Sequence, residues 1–276
     1  MIEFKSVSFS YDKKGRSILN DINLTINKGE LVAIVGKNGV GKTTLIKHIN
    51  GLLKPLVGEV FINGENIHKK RLSEMATIVG LAFQNPNHQL FAETVQKELE
   101  FGPKNLGMKE EERKKLSYVM AEQFHITHLL EKNPLELSGG ERRLVAIASV
   151  LTMDQQILVL DEPSFGQDYH QKSRLGNYLH ELTRKGITVL IVTHDIDFIL
   201  EFIPRTIVLQ DGRIVADDQS KNILINKLIV EESDLDTPIL LDLQEELMKN
   251  FVNFDLHFDE SSLYENIKHL LIQQRE

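Results

Sequence analysis

Gly36-Lys37-Asn38-Gly39-Val40-Gly41-Lys42-Thr43 follows the apolar run Leu31 to Val35 and opens into Thr44-Leu45-Ile46-Lys47-His48-Ile49. The eight residues satisfy the pattern GxxxxGK[ST] at every defined position. The run before them reads as a buried strand and the run after them as a helix, the context in which this pattern cradles phosphate. Glycines at 36, 39 and 41 let successive backbone N–H groups turn inward around phosphate oxygens. The helix that follows adds the positive end of its dipole. Lys42 places a compact charge near terminal phosphates, and the Thr43 hydroxyl suits Mg²⁺.

Composition narrows what such a loop serves. At 276 residues with 41% hydrophobic residues, the chain buries one large core or two. Zero cysteines exclude a disulfide framework and a cysteine metal site, and fit a reducing compartment. No apolar run approaches the roughly 18 residues of a membrane helix. The start, Met-Ile-Glu-Phe-Lys-Ser, lacks the basic and then apolar pattern of a signal peptide. A net charge of -8 argues against a broad nucleic-acid footprint, which needs clustered Lys and Arg.

Outward from the loop, residues 2–11 alternate apolar and polar with a change of face near Lys5 and Ser6, which predicts a bulge. Ile22, Leu24 and Ile26 mark a second half-buried strand, so an antiparallel β unit precedes the loop. Tyr11, just past the first strand, either packs or stacks on a base. Gly58 to Gly64 reads as a strand running into an Asn-Gly turn, and Ile78 to Phe83 as a short buried strand. Gln84 follows that strand directly, as a turn residue or as one reaching a metal at the sheet edge.

Residues 93–136 are helical in character, with a break expected at Gly102-Pro103. Ser138 with Glu141 forms a capping box, so a helix begins there. Gly139 and Gly140 leave bare N–H groups at its start, a place for an anion. Ile157 to Leu160 then delivers Asp161 and Glu162 to a strand end, where ligands bind in open α/β sheets. Asp161 is expected to hold Mg²⁺ and Glu162 to polarise the attacking water. Thr188 to Val192 ends at His194, a turn histidine or a contact to phosphate or water. Ile207 to Val215 is a hairpin with an Asp-Gly turn. Beyond Asn222, Leu240, Leu241, Leu243 and Leu247 form an apolar stripe after Thr237-Pro238. Ser262 with Glu265 caps a last helix bearing Leu263, Ile267, Leu270 and Leu271. This appendage either packs on the main unit or pairs with a second subunit.

The phosphate loop at 36–43, Gln84, Leu137-Ser138-Gly139-Gly140-Glu141, Leu160-Asp161-Glu162 and His194, in that order, resemble the nucleotide-binding subunit of an ATP-binding cassette transporter. The resemblance covers residues 1 to about 220. It implies an α/β phosphate-loop (RecA-like) core with an N-terminal antiparallel β subdomain and a helical subdomain inserted at about 86–150. Residues 221–276 would form a small C-terminal helical extension. It also implies ATP and Mg²⁺ as ligands, with Thr43, Gln84 and Asp161 at the metal and Glu162, His194 and Gln84 as catalytic groups. Two subunits of this family sandwich two ATP molecules. Ser138 and Gly140 of one, with Gly139, Glu141 and Asp168 beside them, would face the γ-phosphate held by the other's loop. Lys37, Asn38, Val40 and Thr44 fall within the family's nucleotide-binding loop, and Tyr11 at its adenine-stacking position.

Gln84-Asn85-Pro86, Gln89-Leu90-Phe91, Thr94-Val95, Phe101-Gly102-Pro103 and Asn105-Leu106-Gly107, with the C-terminal extension, are similar to ATPase subunits of energy-coupling factor transporters. Those import vitamins or transition-metal ions. The implied partners are a second ATPase subunit, an integral membrane coupling subunit and a substrate-binding membrane subunit, at the cytoplasmic face of the cell membrane, with no nucleic acid. Ser164-Phe165-Gly166-Gln167-Asp168 departs from the family, which usually has Leu where Gln167 stands. A soluble cassette ATPase acting on DNA or ribosomes is the alternative. No sustained heptads lie between Lys42 and Ser138, and the chain carries one cassette, against both variants of that alternative.

Overall fold

The structure is a computed structural model that describes residues 1–12, 17–83, 85–250, 256–258 and 260–273. In chain order it contains β1 (Ile2–Phe9), β2 (Leu19–Ile26), β3 (Leu31–Val35), α1 (Lys42–Ile49), β4 (Val57–Ile62) and β5 (Glu65–Asn66). There follow α2 (Leu72–Ala76), β6 (Val79–Ala82), α3 (Val95–Asn105), α4 (Glu110–Gln123), α5 (Gly139–Leu151), β7 (Ile157–Asp161) and α6 (Tyr169–Arg184). The chain continues through β8 (Thr188–Val192), α7 (Ile196–Phe202), β9 (Arg205–Gln210) and β10 (Arg213–Gln219). Four helices end it: α8 (Ser220–Ile225), α9 (Lys227–Glu232), α10 (Ile239–Asn250) and α11 (Glu260–Gln273).

Two sheets result. The antiparallel one has the order β2-β1-β4-β5 and the larger one β10-β9-β3-β8-β7-β6, parallel except for β10. β3, β7 and β8 are apolar along almost their whole length because both faces are covered. Val32 and Ile34 of β3 face a core shared with β1, β2, β4 and α1, whereas Leu31, Ala33 and Val35 face a second core built with α3 to α8. Strand periodicity of two sorts one five-residue strand between two layers.

β1 carries the expected bulge. Its pairing with β2 shifts register between Phe4 and Val7, Ser6 sits at φ 48°, and Ile2, Phe4, Val7 and Phe9 all end up buried. The hairpin turns at Asn63-Gly64 and Asp211-Gly212 take φ values of 52°, 81°, 47° and 73°, as a two-residue turn with both φ positive requires.

Gly102-Pro103 does not break the helix. α3 runs on through Pro103 to Asn105. The proline lies in the last turn, so its missing N–H and ring affect little remaining helix. Gly102 serves packing instead, since a Cβ there would stand 2.4 Å from Met153 Cγ and the glycine admits the chain just beyond α5. Ser262 is likewise not a cap. α11 has already begun at Glu260, which places Ser262 inside the first turn. Serine is tolerated there while still matching the capping pattern.

α8, α9 and the start of α10 pack on the main body. Ile223, Leu224, Val230, Leu235 and Leu241 belong to the same core as β3, β7 and β8. The Ile239 N–H donates to Asp197 Oδ1 at 3.1 Å, tying the start of α10 to α7. Leu228, Ile239, Leu243 and Tyr264 stay exposed. The Leu270 and Leu271 side chains lie outside those described.

Candidate functional site

Because β3, β8, β7 and β6 are mutually parallel neighbours in that order, their C-terminal ends fall along one edge. β3 delivers Gly36, β7 delivers Asp161 and Glu162, and β8 delivers Thr193 and His194. β6 leads to Gln84, which lies outside the described residues.

The loop from Gly36 to Gly41 folds back toward its own helix. Gly36, Gly39 and Gly41 adopt φ of 138°, 78° and 114°, and the Leu45 N–H donates to Gly41 O at 2.8 Å to start α1. Lys37, Asn38, Gly39 and Thr43 are exposed, and Val40 is half-buried. Lys42 points into the loop, only 7% exposed. Its ammonium donates to the carbonyls of Gly36 and of Lys37, the latter at 3.0 Å, and to His194 Nε2 at 3.1 Å. An ammonium has three protons, so the loop and His194 together satisfy all of them. Since Lys42 donates, His194 Nε2 accepts and the imidazole is neutral. Burial and the Lys42 charge hold the His194 pKa below its ordinary value, and burial lowers that of Lys42.

Glu162 is 9% exposed and sits at φ 53°, a left-handed conformation unusual for a glutamate. That backbone lets its N–H bond Val192 O at 2.8 Å and swings the side chain toward the end of β8. Glu162 Oε2 accepts from Thr193 Oγ1 at 3.2 Å and from the His194 N–H at 3.4 Å. Oε1 faces His194 Nε2 at 3.8 Å. Burial pushes both the Asp161 and Glu162 carboxyls above the usual carboxylate range, and for Asp161 the neighbouring Glu162 adds to the effect. Lys42 and Arg143 act in the opposite direction on both.

A second cluster lies along the chain that leaves Glu162. Ser138 caps α5: its N–H and hydroxyl donate to Glu141 Oε2 at 2.8 and 2.7 Å, and the Glu141 N–H returns to Ser138 Oγ at 3.3 Å. Gly139 has open space where a side chain would stand. Asp168 caps α6 by accepting from the Gln171 N–H at 2.8 Å, and Gln171 lies against Gly140, within 3.7 Å of where a Cβ would be. Arg143 of α5 donates to the Phe165 carbonyl and covers its ring, 5.5 Å from the centroid. Among the described residues, no hydrogen bond or ion pair joins Ser138, Gly139, Gly140 or Glu141 to residues 36–44. The Gln167 amide is buried with neither its oxygen nor its nitrogen hydrogen-bonded in the structure.

Tyr11 is exposed beyond β1, its ring edge-to-face with Phe9 at 5.1 Å, its hydroxyl 3.2 Å from Thr44 Oγ1. The contact with Thr44 places the hydroxyl beside the start of α1, and the ring is largely exposed among the described residues. Sequence reasoning named Tyr11 and Thr44 separately and had no sign of their contact. It also passed over Thr193, whose type is unremarkable until Glu162 turns toward it.

Residues 19–165 match the family model described as ABC transporter. The chain belongs to the ABC transporter family. It is 38% identical over 273 residues, 98% of its length and 88% of the relative's, to an energy-coupling factor transporter ATP-binding protein of Methanothermobacter thermautotrophicus. A protein of the same description from Methanocaldococcus jannaschii is 38% identical over 90% of each chain. Among solved structures, cbiO1 of Clostridium perfringens, part of the ABC transporter complex cbiONQ, superposes with a TM-score of 0.77 at 32% identity, covering 90% of this chain and 98% of that one. A dimeric ATP-binding cassette in a post-hydrolysis state with ADP and phosphate, MJ0796, superposes with a TM-score of 0.72 at 29% identity, covering 80% and 99%. The cassette therefore has the phosphate-loop ATPase fold, binds ATP, and hydrolyses it in a cycle coupled to transport. Among the described residues no helix is long and apolar enough to cross a membrane.

Proposed function

We propose that this cassette is the ATP-hydrolysing subunit of an importer of the energy-coupling factor type. It works at the cytoplasmic face of the membrane with a second ATPase subunit, an integral membrane coupling subunit and a substrate-binding membrane subunit for vitamins or transition-metal ions. The observation that carries the chemistry is the convergence of Lys42, Asp161, Glu162 and His194 on one sheet edge beside the loop at 36–43. The names of the relatives support the transporter type.

In this reading the N–H groups of residues 36–44 wrap the phosphates of ATP. Lys42 exchanges one of its carbonyl or imidazole partners for a γ-phosphate oxygen. The Tyr11 ring stacks on adenine. Glu162 orients the attacking water and takes its proton as the bond to the γ-phosphorus forms and that to the leaving oxygen breaks, giving ADP and phosphate. His194, neutral and tethered to Lys42, contacts the γ-phosphate or the water. Mg²⁺ fits the donors present. Thr43 and Asp161 offer hard oxygens, the donor type this ion takes. Thr43 and Asp161, with Gln84, would hold it, and the ion would neutralise charge on the phosphates.

Residues 1–220 form the ATPase unit, with a helical part at about 86–150, and residues 221–276 an extension that strengthens the dimer. Among the described residues, Ser138, Gly139, Gly140 and Glu141 hydrogen-bond only within their own helix and its cap. They complete a site on a second copy or a related subunit, where Asp168 adjoins them. ATP closes the dimer and hydrolysis reopens it, because the ligand's affinity differs between the two states.

Glu162→Gln tests the assignment. The variant is expected to bind ATP, to accumulate as a nucleotide-dependent dimer on gel filtration, and to lose turnover at least about a hundredfold, in keeping with removal of a general base. Turnover at the normal rate would refute the role of Glu162.

A further inference from the structure

Glu162 cannot act as base through both of its oxygens equally, and the structure distinguishes them. Oε2 carries two donors from the end of β8, the Thr193 hydroxyl at 3.2 Å and the His194 N–H at 3.4 Å. Among the described residues Oε1 accepts no hydrogen bond, and His194 Nε2 stands 3.8 Å from it, beyond hydrogen-bonding distance. Thr193 is fully buried. Its oxygen accepts the Asp195 N–H at 3.1 Å, which fills the side facing α7 and leaves the single hydroxyl proton directed at Glu162.

Asp195 is itself held from two sides. Oδ1 accepts from the Phe198 N–H at 3.2 Å as the cap of α7, and Oδ2 pairs with Lys172 of α6 at 2.5 Å. The hydroxyl is therefore oriented by a fixed frame that reaches from α6, the helix capped by Asp168, through Asp195 to Glu162.

We propose that Thr193 is the positioning residue of the hydrolytic site: its hydroxyl pins Glu162 Oε2 to the end of β8 and so leaves Oε1 as the oxygen that receives the water proton. A glutamate side chain has several rotatable torsions, and a backbone at φ 53° aims it without holding it. A base displaced by about an ångström loses much of its effect, so the pin acts on the chemical step and not on ATP binding. The inference rests on Glu162 being the base.

The test replaces Thr193 by Val, which keeps the volume and branching and removes the hydroxyl, and by Ser, which keeps the hydroxyl. ATPase rate, ATP affinity and nucleotide-dependent dimer formation are measured together, with Glu162→Gln alongside. T193V is expected to lower kcat about tenfold or more, the loss corresponding to one hydrogen bond to a carboxylate. Its ATP KM should change less than about twofold, and it should accumulate the ATP-bound dimer as Glu162→Gln does. T193S should recover most of the rate. A general packing defect would instead weaken ATP binding and dimer formation, and T193S, which lacks the methyl group, would share it. Normal kcat in T193V, loss of rate together with loss of the dimer, or failure of T193S to recover would each overturn the inference. Normal turnover by Glu162→Gln would instead bring down the reading of Glu162 on which it stands.

Discussion

Two glycines of the phosphate loop, Gly36 at a defined position of the motif and Gly39 at an undefined one, differ sharply in three dimensions. Gly36 sits at φ 138°, and a Cβ there would lie 2.1 Å from the Leu209 carbonyl oxygen and 3.3 Å from Val40 Cγ1. The obstacle is backbone of β9, which pairs with β3 up to Val35 and Val208, so it cannot rotate away. Relief needs a separation of about 1 Å between the two strand ends, an overpacking that costs about 1–3 kcal/mol. The φ value adds a further ~1–3 kcal/mol of backbone strain. Gly39 sits at φ 78° with nothing within 4 Å of a Cβ. Gly39→Ala therefore costs only the left-handed penalty, about 1–2 kcal/mol. For a chain of this size each kcal/mol moves Tm by about 2–4 °C. Thermal melts without nucleotide should show Gly36→Ala shifted about twice as far down as Gly39→Ala or further, and the rise in Tm on adding ATP should persist in Gly39→Ala alone. Equal shifts for the two, or a Gly36→Ala protein as stable as the parent, would show that the close approach of β9 to the loop is not real and would refute the reasoning.

Ser138→Ala removes the cap of α5 and should cost about 1 kcal/mol of stability. ATP binding by the single chain should be unaffected, because no bond joins Ser138 to the phosphate loop among the described residues, while turnover falls more than about tenfold if Ser138 serves a partner's γ-phosphate. Unchanged turnover would remove Ser138 from the site. His48 is fully buried, its Nδ1 at 2.7 Å from the Thr44 carbonyl, to which it must donate, and its Nε2 without a partner in the structure. Burial holds its pKa below the ordinary value, so the unfolded chain takes up the proton first. Stability should therefore decline as pH falls through about 6.5 and level off below the folded-state pKa. Urea denaturation at about pH 7.5 and about pH 5.5, on either side of the ordinary histidine pKa, should show that loss reduced in His48→Gln. An identical loss in both proteins would exclude His48 as its source.

Most of what proved legible in the sequence is chemistry carried by neighbours along the chain. The phosphate loop, the Asn63-Gly64 and Asp211-Gly212 turns and the Ser138-Glu141 cap each depend on backbone conformations that a few adjacent residues dictate. The strand order β10-β9-β3-β8-β7-β6 was not legible, because strands buried on both faces show no alternation from which a neighbour could be inferred. Gly102 misled for a related reason: its role is set by Met153, in a distant segment of the chain, and only its local meaning as a helix breaker was visible. The unread part of the site has the same origin. Thr193 and Glu162 follow different strands, and nothing in either segment reports that β7 and β8 are neighbours with Asp161 opposite Val192. Once that register is known, the left-handed turn at Glu162 and the buried hydroxyl at Thr193 explain each other. The backbone bends to bring a carboxylate to the side-chain donor that can hold it. The phosphate-loop pattern is thus legible along the chain, whereas the contact between Thr193 and Glu162, the base proposed above, is set by the sheet.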